Sequence, residues 1–349
     1  MTLRVIIYRL GVIPLLLLLC ILAACSQQDL DQEEQGMVSL KVLASPGTKA
    51  GEGGTATATL PAKETDIFDL SIFIFNSNGD VIGFTSQDFS DGKPTAVVVK
   101  TRKATGCSVY AIANAKTLNK NGTSPFDGVS TLSVFKTKYL SFTDAKAPND
   151  DKCLLMMGVS SDFDTSSAGS ATIMLKRLAS RIDYTIAVNN DNETTFPIVV
   201  DSYQLCNVPT STLYQQSDFT SPSMPSSTTF ADFDKVSTPI SSVAAPTSVG
   251  TYYVYANNGT SKETYLDIQA HSEVQGAGTK YTVWKSNFQV KMPGNHVLPN
   301  YHYKINIVIN GSVEGKNGGF IITYNAYPYF SGSTLNKWQS EPDRDLDLK

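Results

Sequence analysis

Three features of this sequence predict a mostly β protein built from sandwiches. Apolar residues recur at every second position in one run after another. Tyr and Phe, at 16 each, are plentiful and suit half-buried strands. Gly, Asn and Pro punctuate the runs at turn-sized gaps, and helical periodicity is scarce. Short strands of this kind bury their apolar faces by packing sheet on sheet.

The first 24 residues read as an address, outside the fold. Arg4 and Arg9 give a positive start, and the apolar core spans 12–22. That core is about half of the roughly 20 residues a membrane-spanning helix needs. Short core, basic flank and small residues before a break describe a secretory signal. Leu22-Ala23-Ala24-Cys25 resembles a bacterial lipobox, which implies cutting before Cys25 and acylation of its thiol and new amine. The plainer alternative is an ordinary signal with a chance cysteine at the junction. Lipid would then replace the apolar run, at about 0.8 kcal/mol per buried CH₂ and with more than one chain needed for stable anchoring. The polar, acidic tract 26–34 cannot pack a core and reads as a solvated tether. It also resembles the acid-rich tags of surface-exported Bacteroidetes lipoproteins.

The strands follow in order. Met37-Val38-Ser39-Leu40-Lys41-Val42-Leu43 alternates, with Val38, Leu40 and Val42 on one face. In 66–75 one face carries Phe68, Leu70, Ile72 and Ile74. Asn76-Ser77-Asn78-Gly79-Asp80 then turns the chain into Val81-Ile82, a hairpin signature. Segments 96–100 and 108–113 read as two more strands. The stretch 129–162 is irregular and has room for a short helix. Alternation resumes over 173–188, with Ile182, Tyr184, Ile186 and Val188 on one face. A polar break at 187–196 suggests a domain junction. Further strands are expected at 197–205, 251–256, 264–270, 281–292 and 319–325. Residues 217–249, dense in Ser, Thr and Pro, read as a long surface excursion. The cleanest strand is 301–309, where Tyr301, Tyr303, Ile305, Ile307 and Ile309 face one way. His302 alternates with them and is expected to face solvent.

Composition narrows the function. A net charge of −4 shows no basic bias, so nucleic acid is not an expected partner. Of five cysteines, Cys20 leaves with the signal and Cys25 takes lipid. Cys107, Cys153 and Cys206 are an odd, widely spaced set that implies no disulfide framework and reads as small buried apolar residues. The three histidines, His271, His296 and His302, show no metal-ligand spacing. There is no nucleophile elbow, P-loop or dinucleotide fingerprint. Asp162 and Asp164 lack the ligand set of a calcium loop. The sequence predicts no cofactor, no metal and no catalysis.

Several stretches together resemble Bacteroidales fimbrillins, the subunits of type V pili. Residues 70–83, LSIFIFNSNGDVIG, look like their first core strand and turn. Residues 109–115, VYAIANA, resemble a fimbrillin strand, and Leu154-Leu155-Met156-Met157-Gly158 stands where they carry a P-M-S-G-like segment. Residues 175–182, LKRLASRI, resemble their R-x-x-A-K/R-I strand. Leu205-Cys206-Asn207-Val208-Pro209 looks like "L-x-N-V-P", and 252–257, YYVYAN, is similar to "Y-V-x-E-N". Residues 299–305 match "R-N-H-x-Y-x-I" loosely. The order of these segments over 38–340 is more specific than any one of them.

The resemblance implies two transthyretin-like Greek-key β-sandwich domains in tandem. The expected division is 1–24 signal, 25–50 tether and removable first strand, 51–188 first sandwich and 189–349 second sandwich. It also implies export to the outer membrane surface as a lipoprotein, then trypsin-like removal of the first strand. A strand from another subunit would fill the groove, giving a fimbrium. Carried onto this chain, Val38, Leu40 and Val42 form the leaving strand, and Lys49-Ala50 is the cut. The family's basic residue there is arginine, so Lys49 calls for a lysine-tolerant protease or a strand that stays. Candidate donor residues are Phe320, Ile322 and Tyr324, or Leu346 and Leu348 in the charged tail. The implied partners are copies of itself or other fimbrial subunits, host or bacterial surface ligands, and the outer membrane through Cys25. The alternatives are an anchor or tip subunit, or a glycan-binding lipoprotein. Glycan binding would need an exposed aromatic platform from Trp284, Trp338, or Tyr327 with Tyr329.

Overall fold

The computed structural model describes residues 35–43, 60–94, 96–121, 123–166, 169–189, 197–241, 246–276, 278–310, 321–328 and 344–347. The first half of the chain contributes β1 (Gln35–Leu43), β2 (Asp69–Phe75), β3 (Val81–Asp88), β4 (Val97–Arg102) and β5 (Cys107–Ala113). It continues with β6 (Tyr139–Ser141), β7 (Met156–Phe163), β8 (Gly169–Met174) and β9 (Lys176–Arg177). All but β6 join one sheet in the order β8-β1-β4-β3-β2-β5-β7-β9.

The second half contributes β10 (Ala179–Asn189), β11 (Ile198–Cys206), β12 (Val208–Pro209), β13 (Ser211–Leu213), β14 (Phe230–Ala231) and β15 (Thr247–Tyr255). After these come β16 (Tyr265–Gly276), β17 (Thr279–Lys291), β18 (His302–Asn310), β19 (Ile321–Pro328) and β20 (Arg344–Asp347). Eight of them form a five-stranded sheet, β15-β10-β18-β19-β20, and a three-stranded sheet, β11-β16-β17, while β12 pairs with β14 and β13 with β6. The protein is therefore mostly β, as its alternation predicts.

The β2–β3 hairpin forms where the turn residues stand. The Asn76 side-chain oxygen accepts from the Asn78 and Asp80 N–H groups, and Gly79 takes φ 85°, a left-handed conformation that glycine adopts without strain. Asn114, at the end of the 109–115 motif, also turns left-handed, at φ 68°. Its buried amide accepts from the Phe68 N–H and donates to the Asp66 and Leu154 carbonyls. Asn tolerates that backbone better than most residues, and its side chain joins three segments.

Alternation alone undercounts what is buried. Every residue of β2 is buried. Leu70, Ile72 and Ile74 face the core that β1 also enters. Phe73 and Phe75 face an aromatic cluster on the other side. That outer face is covered by a short helix, Leu132–Thr137, whose Phe135 ring lies 5.1 Å from Phe73. Thr131 caps the helix by accepting from the Val134 N–H. Tyr214, Tyr253 and Tyr255 reach the same cluster from the second half.

Three expectations need correction. The stretch 129–162 holds two short helices, Leu132–Thr137 and Ala147–Asp150, and most of β7 besides. The excursion at 217–249 is pinned by the buried side chains of Phe233 and Ile240 and by backbone bridges at Val236 and Ile240. The chain changes sheet at Leu178, not at the polar break near 189. Strand β10 pairs with β15 and β18, because its apolar face finds its partners there. Ile182, Tyr184, Ile186 and Val188 all lie in the core of the second half.

Candidate assembly site around the first strand

Strand β1 sits inside its sheet, between two neighbours. It runs antiparallel to β4, from Gln35↔Arg102 to Leu40↔Val97. It runs parallel to β8, from Val38↔Gly169 to Leu43↔Met174. Side chains of a strand point alternately to opposite faces. Val38, Leu40 and Val42 accordingly point inward and are 0%, 0% and 3% exposed. They share a core with Leu70, Ile72, Val97 and Val99. Burial of each such side chain contributes about 1.5–3 kcal/mol. Met37, on the outer face, is 63% exposed. At Gly36 a Cβ would stand 2.7 Å from the Thr165 carbonyl oxygen, so only glycine lets the strand enter that close.

Taking β1 away would therefore do two things at once. It would uncover an apolar floor, and it would strip backbone partners from both β4 and β8. A sheet edge with apolar residues behind it is a template for another strand, and adding a strand satisfies both losses.

The sequence-predicted residues distribute unevenly. Val38, Leu40 and Val42 come together as expected. Ile322 and Tyr324 fall in β19, and Leu346 falls in β20 opposite Tyr324. These candidates pair within the second half's own sheet and not with β1. Cys25, Lys49, Ala50, Phe320, Leu348, Tyr329 and Trp338 lie outside the described residues. Cys107, Cys153 and Cys206 are buried free thiols. Burial pushes Cys153 and Cys206 up to about 12, which leaves little thiolate to react.

Sequence reasoning missed a polar cluster that ties the chain behind β1 to the second half. Glu64 is fully buried. Its Oε1 accepts from the Tyr253 hydroxyl at 2.6 Å and pairs with Arg181 Nη1 at 3.1 Å. Its carbonyl accepts from Arg177 Nε at 2.7 Å. Arg181 Nε reaches Asp183 at 3.1 Å, and His302 Nε2 lies 2.7 Å from the other oxygen of that carboxylate. Burial alone would raise the Asp183 carboxyl, but hydrogen bonds from His302, Arg181 and Thr251 outweigh it and hold it well below its ordinary value. Burial lowers the His302 imidazole against the opposing pull of Asp183.

His302 is thus no solvent-facing residue; it is 7% exposed. β18 lies between β10 and β19, and its parallel register sets His302 beside Arg181, two residues from Asp183. Arg177 and Arg181 stand within the 175–182 motif, the one sequence signal for this cluster. Glu64 has no such signal.

Residues 37–200 match the family described as Major fimbrial subunit protein (FimA). Over these residues, a little under half of the chain, it is similar to that fimbrial family. The match opens inside β1. Solved structures extend the likeness to the rest of the fold. A candidate cell adhesion protein of Parabacteroides distasonis is 17% identical, with a TM-score of 0.62 over 85% of this chain and 99% of that one. A fimbrilin of Porphyromonas gingivalis is 14% identical, with a TM-score of 0.52 over 87% and 98%. The tip fimbrial protein Mfa3 of the same species is 13% identical, with a TM-score of 0.50 over 84% and 99%. No curated protein matches the chain in sequence. The likeness to these solved structures shows that the chain shares their fold.

Proposed function

We propose that this chain is a fimbrillin, a pilus subunit that polymerises by strand exchange, built from tandem transthyretin-like Greek-key sandwiches. Its course would be export to the outer membrane on lipid at Cys25, cutting between Lys49 and Ala50, loss of β1, and entry of a strand from another subunit. One observation supports this reading above the others. The strand that processing would remove is an inner strand, with its apolar side chains in the core and a neighbour on each side.

Topology also favours one donor over the other. β19 is held on both sides, by β18 and β20, and could leave only by splitting its sheet. Among the described residues β20 lies at the edge and has one neighbour and four paired positions. Leu346 and Leu348 would then take inward seats like those of Val38 and Leu40. The flanking Asp345 and Asp347 would face outward with Lys100, which sits opposite Met37 of β1.

Light trypsin treatment of the mature chain from Ser26 tests this, with N-terminal sequence and oligomer size followed together. Cutting at Lys49 followed by growth of SDS-resistant multimers is the expected result. Cutting without growth points to a tip-like subunit. A resistant monomer with an intact N-terminus sinks strand exchange for this chain and moves the reading to an anchor. Glycan binding has no specific observation in its favour.

A further inference from the structure

Strand β8 is held in a particular way. Among the described residues it pairs with β1 alone and stands at the end of the strand order of its sheet. The chain on either side of it is fixed without β1. Upstream, Thr165 is fully buried. Its hydroxyl donates to the Arg102 carbonyl at 2.8 Å, and its N–H donates to the Ala104 carbonyl at 2.9 Å. Downstream, Lys176 pairs with Met157, and the Leu178 N–H donates to the Leu155 carbonyl at 2.9 Å. A Cβ at Gly158 would stand 2.5 Å from the Met174 carbonyl oxygen, so the glycine lets the end of β8 lie against β7.

The directions of the strands matter next. β1 is antiparallel to β4 and parallel to β8. β8 is therefore antiparallel to β4. Once β1 has gone, two free edges of the right polarity face each other across one vacant seat. Closing it takes a shift of about 4.8 Å, one strand spacing, and antiparallel pairing is slightly more stable per residue than the parallel pairing β8 gives up.

We propose that β8 is a strap that moves onto β4 when β1 leaves and caps the open subunit until another strand arrives. The side chains set its strength. The positions of β8 level with Val38 and Leu40 are Gly169 and Ala171. The strap satisfies the backbone of β4 and leaves the deepest apolar seats underfilled. A strand carrying leucine or valine there fills them and displaces it. The cap hides a sheet edge that would otherwise recruit any exposed strand, and it still yields to the correct one. This rests on the reading that β1 departs.

A disulfide trap tests it. Val98 and Ser170 both stand level with Ser39, on opposite sides of β1. Val98 is 56% exposed, and Ser170 is also exposed. Across two strand spacings their Cα atoms are roughly 10 Å apart, beyond the about 7 Å that a disulfide allows. On closure they become direct neighbours at about 5 Å. The V98C/S170C double variant of the full chain is given a sequence-specific protease site within residues 44–59. It is held dilute under mild oxidant before and after cutting, with the single variants as controls. Mass spectrometry reads both the departure of β1 and the number of free thiols.

The expected result is loss of both introduced thiols in monomers, only after β1 has left. Departure of β1 with both thiols still free overturns the strap. So does a cross-link that forms equally fast in the uncut chain, and so does a cut β1 that stays seated, since the strap then fails to take the place assigned to it. Multimer growth, followed separately at high concentration, reports on strand exchange. A cross-link without multimers sinks the polymerising reading and spares the strap. Multimers without a cross-link do the reverse. The A171L change in the same background enlarges the strap's inward side chain and should slow multimer growth relative to the parent.

Discussion

β1 and β20 are the first and last described strands in sequence order, and their seats differ. β1 has a neighbour on each side, and its three inward residues lie in the core. β20 has, among the described residues, one neighbour and four paired positions at the edge of its sheet. An edge strand can leave by breaking one ladder; an inner strand must break two and uncover a core. The difference gives direction to assembly. The deep seat is worth refilling, and the shallow seat is easy to vacate.

The largest effect should come from the deep seat. Leu40→Ala removes a fully buried side chain and should cost about 2–5 kcal/mol, read as a lower urea midpoint of the intact chain. A loss below about 1 kcal/mol would mean β1 is already loosely held, and the comparison would break. Glu64→Gln comes next. The charge facing Arg181 goes, and one hydrogen-bonding oxygen becomes a donor, at a cost of about 1–3 kcal/mol. Glu64 follows β1 in the chain and contacts β10 and β15 of the sheet that holds β20. If the two seats belong to separable units, this change should spread one unfolding transition into two.

Acid supplies a smaller effect on the same joint. The unfolded imidazole of His302 titrates at its ordinary 6.5, and the folded one lower. Unfolding therefore takes up a proton between those values, so stability is full above pH 6.5 and falls as the pH drops toward the folded value. The depressed Asp183 carboxyl adds stability that is lost only further down, below its ordinary 3.8. Melting curves between pH 7.5 and 5 should show the first loss, and His302→Gln should flatten it. An unchanged slope in that variant would remove His302 from the account.

The smallest effect on stability should come from the shallow seat. Leu346→Ala lies on an edge strand and should change the unfolding free energy by less than about 1 kcal/mol while preventing multimer growth after cutting. A large loss of stability there would make β20 as much a core strand as β1, and a donor role would be hard to sustain.

The sequence carried much of this. Strict alternation located β1, β10 and β18, because one face of each meets a core and the other does not. Asn76 to Asp80 located the hairpin, because those residues accept the backbone a tight turn requires. β2 was only half legible, since its second buried face depends on Phe135 arriving from a distant helix. The change of sheet at Leu178 was not legible, because a polar break marks a loop and not the sheets on either side of it. Glu64 and His302 were not legible as members of one cluster, because they are far apart in sequence and are linked only through Arg181 and Asp183 of β10.

By itself the sequence determined that this chain is mostly β, which strands have an apolar face, and which fimbrial family it resembles, because those follow from local periodicity and motif. Tertiary structure alone decided that β1 is an inner strand, that β8 pairs with it, and that Glu64 joins the two halves. Pairing order and burial of charge arise from contacts between distant segments, and no local pattern encodes which distant edge a strand will meet.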